Sequence, residues 1–337
     1  MRSLALVFPG QGSQSVGMGR IVASASPVAA AVFTEADSVL GESLTRIAWE
    51  GPAEELDRTV NAQPALLATS MAIFAALRER WTGAGLDVAP AFAAGHSMGQ
   101  YSALVAAGSL SLADGLRLVR ERGVQMQASG RGRPGAMAAI LGLDDERLPE
   151  LVERASREGV FGVANRNAPG QVVVSGERPA VEASLAIARE LGARKSLLLP
   201  VSVAAHSPLM ADAAVAMERL VRDVRFADPR PPLVAKADGR VIRYAAGARA
   251  ELVEHLTTGV DWVAAVRGMA ARGADTFVEV GPGRVLTGLI KRIVPDASAV
   301  AAAPGIEDPL VDPLLIREPA GVGSSGPSSP PSARPGG

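Results

Sequence analysis

The chain has 337 residues, 48% hydrophobic and 20% charged, which suits a globular core of one large or two smaller domains and argues against intrinsic disorder. Its 34 basic and 35 acidic residues leave a formal charge of −1, so the electrostatic footprint of a nucleic-acid binder is missing. There is no cysteine and there are three histidines, His96, His206 and His255, which sets aside disulfides, thiol catalysis and histidine-rich metal sites and leaves three candidates for an imidazole base.

Ser3 to Phe8 reads as a buried strand, a short apolar run stopped by Pro9-Gly10-Gln11-Gly12-Ser13. That run is too short for a signal-peptide core, and no segment reaches the ~18 consecutive apolar residues of a membrane span, so a cytoplasmic protein is expected. Residues 62–82 carry Leu66, Leu67, Met71, Phe74 and Leu77 at helical spacing. Residues 91–95 read as a second buried strand, followed by helices from Met98 to Ala107 and from Leu112 to Ala128.

From Ala136 the rhythm changes. Strand Ala136 to Leu143, helix Asp145 to Glu158, strands Val160 to Asn165 and Val172 to Gly176, helix Pro179 to Leu191 and strand Lys195 to Leu199 follow in the order β-α-β-β-α-β, that of a ferredoxin-like unit. A helix is expected after His206, then strand Thr276 to Val280, the turn Gly281-Pro282-Gly283 and helix Arg284 to Ile293. The predicted architecture is α/β: a larger α/β-hydrolase-like domain with a parallel sheet, residues 1–130 plus 201–303, interrupted by a smaller ferredoxin-like subdomain, residues 131–200. The stretch 304–337 is rich in Pro, Gly and Ser and reads as a flexible tail, because it has too little apolar surface to offset its ordering entropy.

Gly95-His96-Ser97-Met98-Gly99 fits G-x-S-x-G between a strand and a helix. At such an elbow the flanking glycines relieve crowding, the hydroxyl stands at the strand's end, and the helix N-terminus offers free N–H groups to a developing oxyanion. A serine nucleophile needs a base. His206 precedes Ser207-Pro208, a helix-entry pair, and is the best candidate; His96 adjoins the serine but should point away from it, and His255 lies in a segment read as helical, Glu251 to Thr257. On the helix from Leu112, Arg122 shares the apolar stripe of Leu116, Val119 and Met126, whereas Arg117, Arg120 and Glu121 fall mostly off it. A charge there needs a partner, either an internal carboxylate or the carboxylate of a ligand. Gln11 sits in a Gly-rich loop of the kind that supplies an oxyanion donor.

These residues, with Phe8-Pro9-Gly10-Gln11-Gly12-Ser13-Gln14, Arg122-Gly123, Asn165-Arg166-Asn167-Ala168-Pro169-Gly170-Gln171 and Glu279-Val280-Gly281-Pro282-Gly283, resemble the malonyl-CoA:acyl-carrier-protein transacylases over about residues 4–295. That group includes the acyltransferase domains of polyketide synthases and the free-standing enzymes that serve them. The resemblance implies that Ser97 becomes acylated with His206 as its base. Arg122 would clamp the malonyl carboxylate, the N–H groups of Gln11 and Met98 would form the oxyanion hole, and a backbone carbonyl would orient the histidine. Met126 and His255 join Arg122, Gln11 and Met98 as candidate substrate-binding residues. The chain departs from the family's usual pattern at Gln100, where Glu is usual, and at His255, where Gln is common. The implied reaction moves malonyl from malonyl-CoA to the phosphopantetheine thiol of an acyl carrier protein, for fatty-acid or polyketide synthesis. No bound cofactor, metal, nucleic acid or membrane is expected, and a monomer is, with a polyketide synthase assembly as a further partner. The alternative is an acyl hydrolase that clears stalled carrier proteins; a carboxylate clamp at Arg122 argues against it.

Overall fold

The computed structural model describes residues 3–132, 134–201 and 203–302. In chain order these form β1 (Leu4–Phe8), α1 (Arg20–Ala25), α2 (Pro27–Leu40), α3 (Leu44–Glu50), α4 (Ala53–Asp57), α5 (Thr59–Gly83), β2 (Phe92–Gly95), α6 (Gly99–Ala106) and α7 (Leu112–Gly132). Next come β3 (Gly135–Leu141), α8 (Leu148–Ala155), β4 (Phe161–Ala168), β5 (Gln171–Glu177), α9 (Arg178–Glu190) and β6 (Lys195–Leu198). The chain continues with α10 (Ala211–Asp223), β7 (Leu233–Val234), β8 (Val241–Ile242), α11 (Ala245–Val253), β9 (Val260–Asp261), α12 (Trp262–Ala271), β10 (Thr276–Glu279), α13 (Val285–Ile293) and β11 (Ser298–Ala301).

Six strands make the larger sheet in the order β11-β10-β1-β2-β7-β8. All neighbours run parallel except β7 and β8, an antiparallel pair at the edge, which modifies the expected all-parallel sheet. β1 lies in the middle and is buried on both faces, which is why it reads as an unbroken apolar run. Leu4, Leu6 and Phe8 pack with α2, α5, α6 and α7 on one face, while Ala5 and Val7 join α12 and α13 on the other. α5 is long and apolar enough to cross a membrane, yet it is mostly buried inside the protein as the central helix of that first layer.

The second sheet has the order β6-β3-β5-β4-β9. Its first four strands are antiparallel in the arrangement expected of a ferredoxin-like βαββαβ unit, with α8 and α9 over their own core of Ala138, Ile140, Leu151, Val172, Val174 and Val181. The addition is β9, contributed from beyond α11 and paired parallel to β4 through Asn165 with Val260 and Arg166 with Asp261.

Several elements differ from the sequence reading. The helix expected over 145–158 is an α-helix at Leu148–Ala155 flanked by single 3-10 turns. The segment around His255 is not helical: α11 stops at Val253 and turns follow to Thr258. The strand expected over Lys195 to Leu199 ends at Leu198, ahead of Pro200. Helices α1 to α4 were not anticipated at all. The stretch 304–337 lies outside the described residues.

Candidate active site

β2 ends at Gly95, and within four residues the chain has turned into α6. This reversal has two requirements. Ser97 takes φ 50°, left-handed backbone that side chains other than glycine seldom adopt. Gly95 must also have no side chain, since a Cβ there would stand 1.9 Å from the Gly99 carbonyl carbon and 2.1 Å from the Gln100 nitrogen. Gly95→Ala is therefore expected to destabilise the protein by about 1–3 kcal/mol and to misplace the serine, read as a lower Tm together with lost activity. Unchanged values of both would show that the elbow is looser than its contacts indicate.

Ser97 Oγ lies 2.8 Å from His206 Nε2. His206 Nδ1–H donates to the Thr258 carbonyl at 2.9 Å, which leaves Nε2 without a proton and the serine hydroxyl as the donor. The orienting group is thus a backbone carbonyl on the turn after α11, and His206 has φ 60° at the entrance to the 3-10 turn that leads into α10. Burial, with Lys236 and Arg122 nearby, holds the imidazole well below its ordinary pKa and hence neutral at pH 7.

Arg122 projects from α7 into the same space. Its guanidinium is 2% exposed, and Nη2 donates to Ser97 Oγ at 3.3 Å. Burial pushes its pKa down to about 10, so it remains charged at neutral pH. Its Nε has no partner, and no carboxylate pairs with it among the described residues. Of the two readings left open by its helical position, an internal ion pair and a ligand's carboxylate, the first is not formed among the described residues.

The three residues open onto a cavity of about 400 Å³. Gln11, Met98 and Met126 line it too, with apolar walls from Met137, Val173, Val201 and Val203. The N–H groups of Gln11 and Met98 meet no acceptor among the described residues, and Met98 caps the N-terminal end of α6. The Gln11 side chain is tied to Thr59 Oγ1 at 3.3 Å. Met126 accepts from Gln63 at 3.5 Å and stands in the wall.

His255, grouped above with the substrate-binding candidates, is not part of the lining. It is fully buried behind the elbow, where Nε2 donates to the Ser97 carbonyl at 3.1 Å and the ring packs edge-on against His206 and Tyr101. His96 turns toward the second sheet and meets Asn167 Oδ1 at 2.8 Å. Gln100 braces the elbow from below: its Oε1 accepts the Gly95 N–H at 2.8 Å while its Nε2 donates to the Val234 carbonyl and to Glu251.

Thr258, Lys236 and the Met137 and Val173 walls had no place in the sequence reading, which held Asn165 and Asn167 only within a motif and Glu251 only as the start of a segment read as helical. Thr258 acts through its backbone, which no side-chain pattern reveals. Lys236 did leave a trace, a lone lysine closing the apolar run Leu233-Val234-Ala235.

Residues 5–318 match the acyl transferase domain family. The chain is 44% identical over 301 residues to the malonyl CoA-acyl carrier protein transacylase of Escherichia coli K12, covering 89% of this chain and 96% of that protein. Among solved structures, acyl-carrier-protein S-malonyltransferase from Bartonella henselae superposes with a TM-score of 0.85 at 42% identity, covering 89% of this chain and 95% of that one. A malonyl-transacylase in complex with a type II polyketide synthase acyl-carrier protein gives 0.84 at 41% identity, covering 89% and 95%. By fold, by extent and by these levels of identity, the chain belongs to the malonyl-CoA–acyl carrier protein transacylase family.

Proposed function

We propose that this protein transfers malonyl from malonyl-CoA to the phosphopantetheine thiol of an acyl carrier protein through an acyl-Ser97 intermediate. The observation that carries the reading is a buried cation, Arg122, paired with no carboxylate among the described residues and held 3.3 Å from the hydroxyl that His206 activates. A charged acyl group is the ligand such a site fits.

His206 Nε2 takes the proton as Ser97 Oγ attacks the thioester carbonyl. The resulting oxyanion lies against the free N–H groups of Gln11 and Met98, the latter aided by the positive end of α6. Collapse expels the CoA sulfur, which His206 protonates. In the second half the carrier's thiol gives its proton to His206 as its sulfur attacks the acyl-serine carbonyl; collapse breaks the ester bond to Ser97 Oγ, which takes the proton back from His206. Arg122 pairs with the malonyl carboxylate throughout and sets the carbonyl over the serine. The apolar walls limit water, whose attack would discard the acyl group. The chemistry needs no bound cofactor, and its substrates fit a cytoplasmic enzyme of fatty-acid or polyketide synthesis.

Intact-mass measurement after incubation with a panel of acyl-CoAs tests this, followed by addition of phosphopantetheinylated carrier protein. One malonyl group should appear on the protein and then move to the carrier. Release of free malonate with no loaded carrier would replace the transferase by a hydrolase.

A further inference from the structure

Lys236 follows β7, is 2% exposed, and does not line the cavity. An ammonium has three hydrogens to donate, and all three are placed: on the Thr258 carbonyl at 2.9 Å, Thr258 Oγ1 at 2.8 Å and the Gly259 carbonyl at 3.1 Å. Thr258 Oγ1 in turn donates to the Glu254 carbonyl at 2.8 Å. The buried cation therefore pins one turn of chain, 254–259. The Thr258 carbonyl it grips is the same oxygen that accepts His206 Nδ1–H at 2.9 Å. One oxygen joins lysine to imidazole.

We propose that Lys236 is a positioning residue for His206: its ammonium holds the Thr258 carbonyl in place for Nδ1–H, and its charge opposes a second proton on the ring. The proposal rests on the reading of His206 as the base. The resting imidazole must be neutral to accept the serine proton, and a carbonyl favours imidazolium, though without the full negative charge of a carboxylate. A fixed cation across that carbonyl opposes it.

The groups facing these two side chains allow this. His206 is faced by the cations Lys236 and Arg122, by His96, and by the His255 ring at 5.9 Å. Lys236 is faced by Glu251 and Glu254, which favour its charge, and by Arg122, which opposes it. Glu251 Oε1 accepts the Lys236 backbone N–H at 2.9 Å and the Gln100 amide at 3.0 Å, and its Oε2 lies 3.6 Å from Arg240. Burial brings the ammonium down to about 8, still protonated at pH 7.

Because the chain has three histidines, the His206 ring can be followed individually by NMR in the full-length, histidine-labelled protein. The comparison is wild type with Lys236→Arg, Lys236→Gln and Lys236→Met, read by the His206 titration and by the pH dependence of kcat/KM for acylation. Loss of the cation should move the His206 titration and the acid limb of kcat/KM upward together, on the order of one pH unit, in the Gln and Met variants. Lys236→Arg should keep both near wild type. Lys236→Met also loses the anchor, so its plateau kcat should fall roughly 10-fold with KM little changed. A folded Lys236→Gln protein whose His206 titration and acid limb stay at the wild-type pH, with only Tm reduced, would overturn the proposal. His206→Ala separates the two readings: near-normal acylation in that variant would sink the assignment of the base, while the NMR titration still reports whether Lys236 acts on the ring. If Lys236→Met does not fold, the Arg and Gln variants decide.

Discussion

Ser97→Ala is expected to form no acyl-enzyme, a loss of roughly 10⁴-fold or more in transfer, while its Tm stays within a few degrees of wild type. The hydroxyl's two partners, His206 at 2.8 Å and Arg122 at 3.3 Å, both belong to the site, so its removal leaves the surrounding core intact. Backbone strain is unchanged too, since alanine at φ 50° bears about the same ~1 kcal/mol cost as serine. Ser97→Gly should be equally inactive yet more heat-resistant than Ser97→Ala, because glycine is at ease at that φ. Intact mass after exposure to malonyl-CoA, together with thermal unfolding, reads both effects. A Ser97→Ala protein that still gains one malonyl group would show that another residue is the nucleophile.

Arg122→Ala should collapse the preference for malonyl over acetyl groups. In wild type Arg122 is 2% exposed and pairs with no carboxylate among the described residues, so on the proposed function a malonyl carboxylate would complete it and an acetyl methyl group would leave it unpaired. Breaking such a pair in a water-poor pocket costs about 3–5 kcal/mol, which predicts a fall of roughly 10²–10⁴-fold in kcat/KM for malonyl-CoA. Acetyl-CoA should lose little or gain, since the empty cation no longer has to be accommodated. The diagnostic quantity is the ratio of the two kcat/KM values in each protein. An equal fall for both substrates would mean that Arg122 merely supports Ser97, leaving the choice of acyl group to Met126 or other parts of the wall.

What could be read beforehand was whatever local sequence controls. β1 and β2 are short apolar runs stopped by glycine, and the elbow follows from Gly95 and Gly99 around one serine. Arg122 was visible because helical spacing alone puts it in line with Leu116, Val119 and Met126. Helices α1, α3 and α4 were missed because they are short, and α2, at 14 residues, because its alanine-rich faces give little periodic contrast. His255 was misplaced because α11 ends two residues before it, at Val253, with no glycine or proline to mark the stop. The partners of His206 lie furthest from what local sequence can reveal. Thr258 and Lys236 reach it only after β7, α11 and the larger sheet have assembled, and one of them acts through a peptide oxygen.

The pairing of β4 with β9 bears on how substrates come and go. β9 begins at Val260, two residues after the carbonyl that holds His206, and Asn165 of β4, opposite Val260, lies in the cavity wall. Arg292 of α13 adds a second tie, donating to Gln171 and to the Pro169 carbonyl at the far end of the same hairpin. The two sheets are therefore stitched together beside the reacting atoms rather than joined by a hinge. Swinging them apart would break ladder hydrogen bonds and drag the base off the serine. Substrates that reach Ser97 without parting the sheets enter through the opening of the cavity that Gln11, Met126 and Val201 help to line.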